Sequence, residues 1–422
     1  MDAEALMDTV IGTRAGELAS WVVSRTWDDL SPTVRERLRM SVLDAIGCAI
    51  GGLQGPPVRA VRSYLDEVGG APNATLIGGG KTSADRAALF NGAAIRYLDF
   101  NDTFAAKGES CHPSDNVAPI LAAAEQSGAS GRDFLVALAV AYQVQCHLSE
   151  VAPVRARGFD HTVLGMLGMA CGAARARGLG VVPTSNAIAI TGTAFNALRV
   201  TRTGRLSNWK GLAAPNAAFA AVHAVSLAAH GVTGPDQMFE GNKGLIETIT
   251  GPFELDWSTE PLDRLLRCNI KKYNAEFHSQ SAVEAALAIR QQPGFDPTSI
   301  ERISVETFAT GFHIIGGGEE GDKKAVRTKE DADHSLPYII AIALLDGEVA
   351  PAQYAPERIA SADVQALLER VDVFLDDSFS ERFPEEMPAR VEVHLKDGTV
   401  LVATESGYPG FYTRPFDWDA AV

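Results

Sequence analysis

The chain has 422 residues, more than the roughly 250–300 at which a single hydrophobic core stops growing, so two domains are expected. Hydrophobic residues at 46% and charged residues at 21% describe an ordinary folded globular protein, and 37 Lys plus Arg against 53 Asp plus Glu leave a net charge of -16. That surplus argues against nucleic acid or an anionic membrane as the main partner, and an anionic substrate would need a local cluster of cations to overcome the field of the whole.

Five cysteines (Cys48, Cys111, Cys146, Cys171 and Cys268) without a CxxC pair indicate neither a disulfide framework nor a zinc or iron-sulfur ligand set; a reducing cytoplasm is the expected compartment. The acidic start, MDAEALMDTV, lacks a basic region followed by an apolar core, so no signal or transit peptide is expected. Two uncharged runs, 178–198 and 212–235, are long enough to test as membrane spans. Pro, Asn, Ser, Thr, Gly and His interrupt both, which predicts buried Ala-rich helices instead.

In chain order, 34–53 places Leu38, Val42, Ala45, Ile46 and Ala49 at helical spacing, with Gly51 and Gly52 as a stop. The triple glycine at 78–80 followed by Lys81 and Thr82 lacks the GxxxxGK spacing of a phosphate loop; it predicts a turn capped by Ser83 ahead of a helix. The stretch DFNDTFAAKGESCHPSDN, 99–116, then gathers Asp99, Asp102, His112 and the Thr103 hydroxyl among turn formers, before an Ala-rich helix from Val117. It is either a site carried on a loop or a solvated connection in which Ser114 or Asp115 caps the helix.

Ser130 with Asp133 forms a capping-box pattern opening an apolar central helix. A second helix is expected from near His161 to Gly178. His161 there is either a cap-region spectator or a site residue whose cationic form the helix dipole disfavours. Arg199, Arg202, Arg205 and Lys210 fall within twelve residues, the best candidate for a carboxylate receptor in an acidic chain. His223, His230 and the Ala-rich helix beyond suggest that this turn faces the interior; the alternative is a solvated connection.

Beyond Gly251 the pattern changes. Residues 301–309 alternate, and 390–405 carries an Asp397-Gly398 turn between alternating arms, a hairpin signal. Helices at 279–290, 334–345 and 361–371 accompany these strands, with His278 opening the first and His334 and Tyr338 on one face of the second. The expected fold is mainly α: a large all-helical domain over 1–257, with 406–422 a candidate return to it, and a smaller α+β domain over 258–405 built on an antiparallel sheet.

The segments YLDFNDT, HPSDN, GFDHTVLG, RTGRLSNWKG, FEGNKG, EFHSQSAVEAAL and ADHSLPY, in this order, resemble the MmgE/PrpD family. The resemblance implies a cofactor-independent enzyme with no metal, usually a homodimer, with a helical domain, an α+β lid domain and a site between them. It assigns Asp99, Thr103, His112, His161, Lys210, His278 and Tyr338 to that site. Arg202 and Arg205 match the neighbouring basic motif and, with Lys210 and His278, would bind substrate carboxylates. The loop 104–111 departs from the family pattern.

The implied activity is dehydration of 2-methylcitrate or a related hydroxy-tricarboxylate by a cytoplasmic lyase; decarboxylation of cis-aconitate and epimerisation of iminodisuccinate are the alternatives, since all three pass through a carbanion-like species. Dehydration needs a base for a weakly acidic C–H, charge stabilisation for the enolate-like intermediate and an acid for the leaving hydroxyl. His112, oriented by Asp99, is the expected acid/base group. A reading of another class is a non-catalytic helical dimer that binds an acidic metabolite or a protein.

Overall fold

The computed structural model describes residues 10–318 and 320–421; the N-terminal reading over 1–9 lies outside the described residues. The chain divides into two units. The first comprises Met1–Thr201, Trp209–Cys268 and Trp418–Val422, the second Arg202–Asn208 and Asn269–Asp417. The division thus falls after Cys268 rather than after 257, and most of 406–422 belongs to the second unit.

The helices of the first unit start where the sequence offers a cap. Ser31 Oγ accepts the Val34 N–H and Pro32 fills the first helical position of α2 (Pro32–Gly52), which follows α1 (Arg14–Ser24). After α3 (Pro56–Val68) comes α4 (Ala84–Tyr97), opened by Ser83. The hairpin β1 (Phe104–Ala106) and β2 (Glu109–Cys111) leads into α5 (Val117–Ser127), and α6 (Gly131–Val151) begins with the Ser130–Asp133 pair. Then follow α7 (Thr162–Ala176), α8 (Val181–Ala194) and α9 (Trp209–Ala229).

Close approach is the organising feature. A Cβ at Gly168 would lie 2.7 Å from the Ala141 carbonyl oxygen and one at Gly172 2.9 Å from that of Ala137, so two glycines one turn apart let α7 lie directly on α6. In the same way Gly92 of α4 faces Pro215 of α9, 3.3 Å from where its Cβ would be. The helices α6 and α9 are long and apolar enough to cross a membrane by length and composition, and 78% and 61% of their most apolar windows are buried inside the protein. Of the two runs tested from sequence, 212–235 overlaps α9, whereas 178–198 yields the shorter α8.

In the second unit, α10 (Gln280–Arg290), α11 (Leu336–Asp346) and α12 (Ala362–Leu368) accompany a four-stranded sheet of β3 (Ile300–Thr307), β4 (Val371–Leu375), β5 (Ala389–Leu395) and β6 (Val400–Glu405), in the order β4-β3-β5-β6. Ile303, Val305, Val391 and Val393 turn to the core on one face. The opposite face carries Glu306, Arg390 and Glu392 in ion pairs. The sheet is antiparallel, as expected, except at its β4 edge, where Ile303 pairs with Val371 in parallel. The sequence reading took 361–371 as helix throughout; the helix stops at Leu368 and the chain re-enters the sheet.

Candidate active site

In the first unit the stretch 99–116 is packed, not solvated. Arg96, near the end of α4, is 3% exposed; it donates to Asn101 Oδ1 at 2.6 Å and forms ion pairs with Asp99 Oδ1 at 3.2 Å and Asp115 Oδ1 at 3.4 Å. Asp99 itself has φ 55°, a left-handed conformation that costs a non-glycine residue about 1–3 kcal/mol and concentrates at functional sites. Its other oxygen lies 3.4 Å from the Lys210 ammonium. Lys210 is buried although it opens α9; the Gly92–Pro215 contact brings that end of α9 to the end of α4.

Asp102 reads from sequence as an acid/base candidate, but the structure makes it a scaffold. Its carboxylate is fully buried, Oδ1 accepting the Ser114 N–H at 2.8 Å and Oδ2 the Tyr142 hydroxyl at 2.9 Å. Burial raises its pKa above the usual carboxylate range, against these hydrogen bonds. The expected caps Ser114 and Asp115 are correspondingly engaged elsewhere: Ser114 Oγ accepts from Asn101 Nδ2, and Asp115 faces Arg96.

His112 is oriented by the Asp102 backbone carbonyl, 2.8 Å from Nδ1, with the Thr103 hydroxyl 3.3 Å from the same nitrogen. The Asp99 carboxylate, expected to orient it, faces Arg96 and Lys210. A carbonyl can only accept, so Nδ1 carries the proton and the neutral ring keeps its lone pair on Nε2. His161 stands edge-on to His112, ring centroids 5.5 Å apart, where it caps α7; its Nε2 is 3.7 Å from Asp160 Oδ1. Asp99, Thr103, His112, His161 and Lys210 thus all belong to polar sites of this unit, reached from three separate segments.

The basic cluster is divided between the two units. Lys210 belongs to the first unit, while Arg202 and Arg205 fall in the 202–208 segment grouped with the second. There Arg205 lines a cavity of about 510 Å³ with Glu320, Asp322, Arg327 and Asp331. His223 and His230 are exposed, so they do not mark an interior-facing turn.

The second unit has its own cluster. His278 is 2% exposed, and its Nδ1 lies 2.7 Å from Glu276 Oε1, while Glu276 Oε2 accepts the His278 N–H at 2.7 Å. Phe277, Phe308 and Phe383 surround the imidazole. Burial by itself would raise the Glu276 carboxyl, but His278, His334 and Lys271 outweigh it and hold its pKa down at about 2. Asp333 takes Lys329 Nζ on one oxygen and His334 Nδ1 on the other, both at 2.6 Å, and its carbonyl accepts the Glu276 N–H. His334 precedes the helix instead of sharing a face with Tyr338, because Ser335 caps α11. The Tyr338 hydroxyl donates to the Gln353 carbonyl, beside the Tyr354 ring.

Arg96, Glu276 and Asp333 were missing from the sequence-derived set, and His334 was noted in the sequence without being assigned to the site. Arg96 could have been found as the cation three residues before Asp99, and Glu276 as the carboxylate two before His278.

A depressed carboxyl pKa makes stability depend on pH. Glu276 contributes fully above its ordinary value of 4.5, and the contribution is lost as pH falls from there to about 2. Thermal melts over that range should show Glu276→Gln losing less stability with acid than the parent; parallel curves would show that the pair contributes nothing.

A mainly helical unit with a buried acid/base and ammonium cluster, and an α+β unit with a buried imidazole–carboxylate cluster, define an architecture for proton-transfer chemistry on an anionic substrate. The chain belongs to the MmgE/PrpD family: the MmgE/PrpD N-terminal domain matches residues 16–258 and the C-terminal domain residues 273–422. It is 29% identical over 405 residues to the mitochondrial 2-methylcitrate dehydratase of Yarrowia lipolytica, covering 90% of this chain and 76% of that protein. To the 2-methylcitrate dehydratase of Escherichia coli K12 it is 28% identical over 406 residues, covering 88% and 81%. To the alkylcitrate dehydratase phiI of a fungal species it is 27% identical over 414 residues, covering 91% and 81%.

Proposed function

We propose that the chain is a hydro-lyase that removes water from 2-methylcitrate or a related hydroxy-tricarboxylate, using its own side chains as acid, base and charge stabiliser. The names of its relatives support the reaction class. The observation that carries the reading in this chain is the 2.8 Å contact of His112 Nδ1 with the Asp102 carbonyl, the arrangement in which a neutral ring offers Nε2 as a base.

In the proposed reaction Nε2 takes the proton from the carbon beside a carboxylate, and the electron pair forms the carbon–carbon double bond as the carbon–oxygen bond breaks. The proton then leaves with the hydroxide as water. Lys210 and His161 hold carboxylate oxygens and the charge that builds on them, and Thr103 orients the reacting end. In the second unit His278, held by Glu276, is the proposed carboxylate-binding residue.

A panel of hydroxy-tricarboxylates tests this. Dehydration creates an ultraviolet-absorbing conjugated acid, decarboxylation releases carbon dioxide, and epimerisation changes optical rotation alone. Silence in the first assay with all substrates would refute the proposal. Lys210→Met should raise KM about tenfold or more, since hydrogen bonds to charged groups contribute about 1.5–3 kcal/mol; an unchanged KM would remove Lys210 from substrate binding. A homodimer belongs to the same proposal, and sedimentation equilibrium at assay concentration decides it.

A further inference from the structure

Glu109 is a buried carboxylate that the proposed mechanism does not use. It opens β2, three residues before His112, and is 4% exposed. Its Oε2 accepts two backbone N–H groups from a segment distant in sequence, Val154 at 3.2 Å and Arg155 at 3.0 Å, while Oε1 takes the N–H of Ser110 at 3.3 Å. The tip of the same hairpin, Gly108 with φ 88°, comes against Pro153, whose Cβ would lie 4.0 Å from a Cβ at that position.

The segment so held runs on through a single turn of helix, Arg155–Arg157, to Asp160 and His161. Its far side is fastened as well: Phe159 bridges Leu198, the Asp160 N–H donates to the Ala197 carbonyl at 3.0 Å, and the Arg199 N–H donates to the Gly158 carbonyl at 2.9 Å. His112 thus follows the short strand β2, and His161 a short irregular segment, rather than riding inside a long helix. Two such segments hold a fixed separation only if something joins them.

We propose that Glu109 is a positioning residue whose carboxylate clamps the β1–β2 hairpin to the 153–155 turn and so fixes His112 and His161 in their edge-on arrangement. The hydrogen-bond geometry fits a clamp that works ionised, backbone N–H groups donating to both oxygens, while the carboxyl as a whole is held above its ordinary value. Burial raises the Glu109 carboxyl and Asp160 adds to the rise, while the Arg155 and Val154 N–H groups and the Arg199 guanidinium oppose it. Glutamine keeps the length and one acceptor but loses the charge and turns an amide toward the Ser110 N–H. Alanine removes the clamp altogether.

The kinetic arm of the test rests on the dehydratase reading, and the spectroscopic arm does not. In the full-length chain with labelled histidine rings, His112 and His161 should show a ring-to-ring Overhauser contact that weakens in Glu109→Gln and disappears in Glu109→Ala. In the dehydration assay Glu109→Ala should lower kcat by roughly a hundredfold, as expected for loss of alignment, with KM within about threefold, and Glu109→Gln should fall between it and the parent.

An unaltered ring contact in both variants would overturn the proposal. So would equal losses in kcat and 1/KM, or a Glu109→Gln chain that does not fold, since each makes the residue one of general stability. A parent chain inactive on every tricarboxylate, with the ring contact still lost in the variants, would sink the dehydratase reading and leave the clamp standing.

Discussion

Replacing His112 by Asn is expected to lower kcat for dehydration by about 10²–10⁴-fold, the range over which a positioned general base contributes, with KM changing only a few-fold. Asparagine is the informative substitution. Its side-chain amide can still donate to the Asp102 carbonyl, which the native ring reaches at 2.8 Å, so the loop keeps its anchor while the basic Nε2 is gone. The readout is the rate at which the conjugated acid appears, together with a thermal melt to show that the fold is intact. A variant that keeps its kcat and its melting temperature would place the base elsewhere, with His161 the next candidate by its ring contact.

The largest effect on stability is expected at Arg96. Its guanidinium faces the Asp99 and Asp115 carboxylates, with all three side chains at most 4% exposed. Removing one member of such a buried set leaves charge without compensation, which costs about 3–5 kcal/mol. Arg96→Met keeps most of the volume and should lower the unfolding free energy by about that amount, measured by urea denaturation. Changing Asp99 and Asp115 to Asn in the same chain should recover part of the loss, because the orphaned charges go with it. A single variant within about 1 kcal/mol of the parent would mean that water or rearrangement replaces the arginine, and that Asp99 is not held in its strained conformation by this pair.

These two residues also show where sequence reasoning reached and where it stopped. His112 stood out because titratable groups in a turn-rich stretch have few structural uses. Arg96 did not, because a lone cation near the end of an amphipathic helix usually faces solvent. Only packing shows that α4 is buried along that side, where Gly92 meets Pro215 and Arg96 is 3% exposed. Asp102 misled in the opposite direction: composition marks a carboxylate as reactive, while its geometry makes it a peg for Ser114 and Tyr142. In the second unit the Asp397-Gly398 turn marked the β5–β6 hairpin directly. The β4 strand went unseen because a parallel edge strand pairs with a partner far away in the chain and leaves no turn signal between them.

The kind of most elements, several of the caps that open the helices and the residue types able to move protons were written locally, in periodicities and spacings that a single segment carries. What tertiary structure alone decided is which of those groups share a charge or a proton. Lys210 meets Asp99 across more than a hundred residues, and His112 takes its tautomer from a backbone carbonyl. Both depend on two small residues letting helices approach and on irregular loops being held in place. Such contacts are set by the sum of packing over the whole unit, and no window of sequence contains that sum.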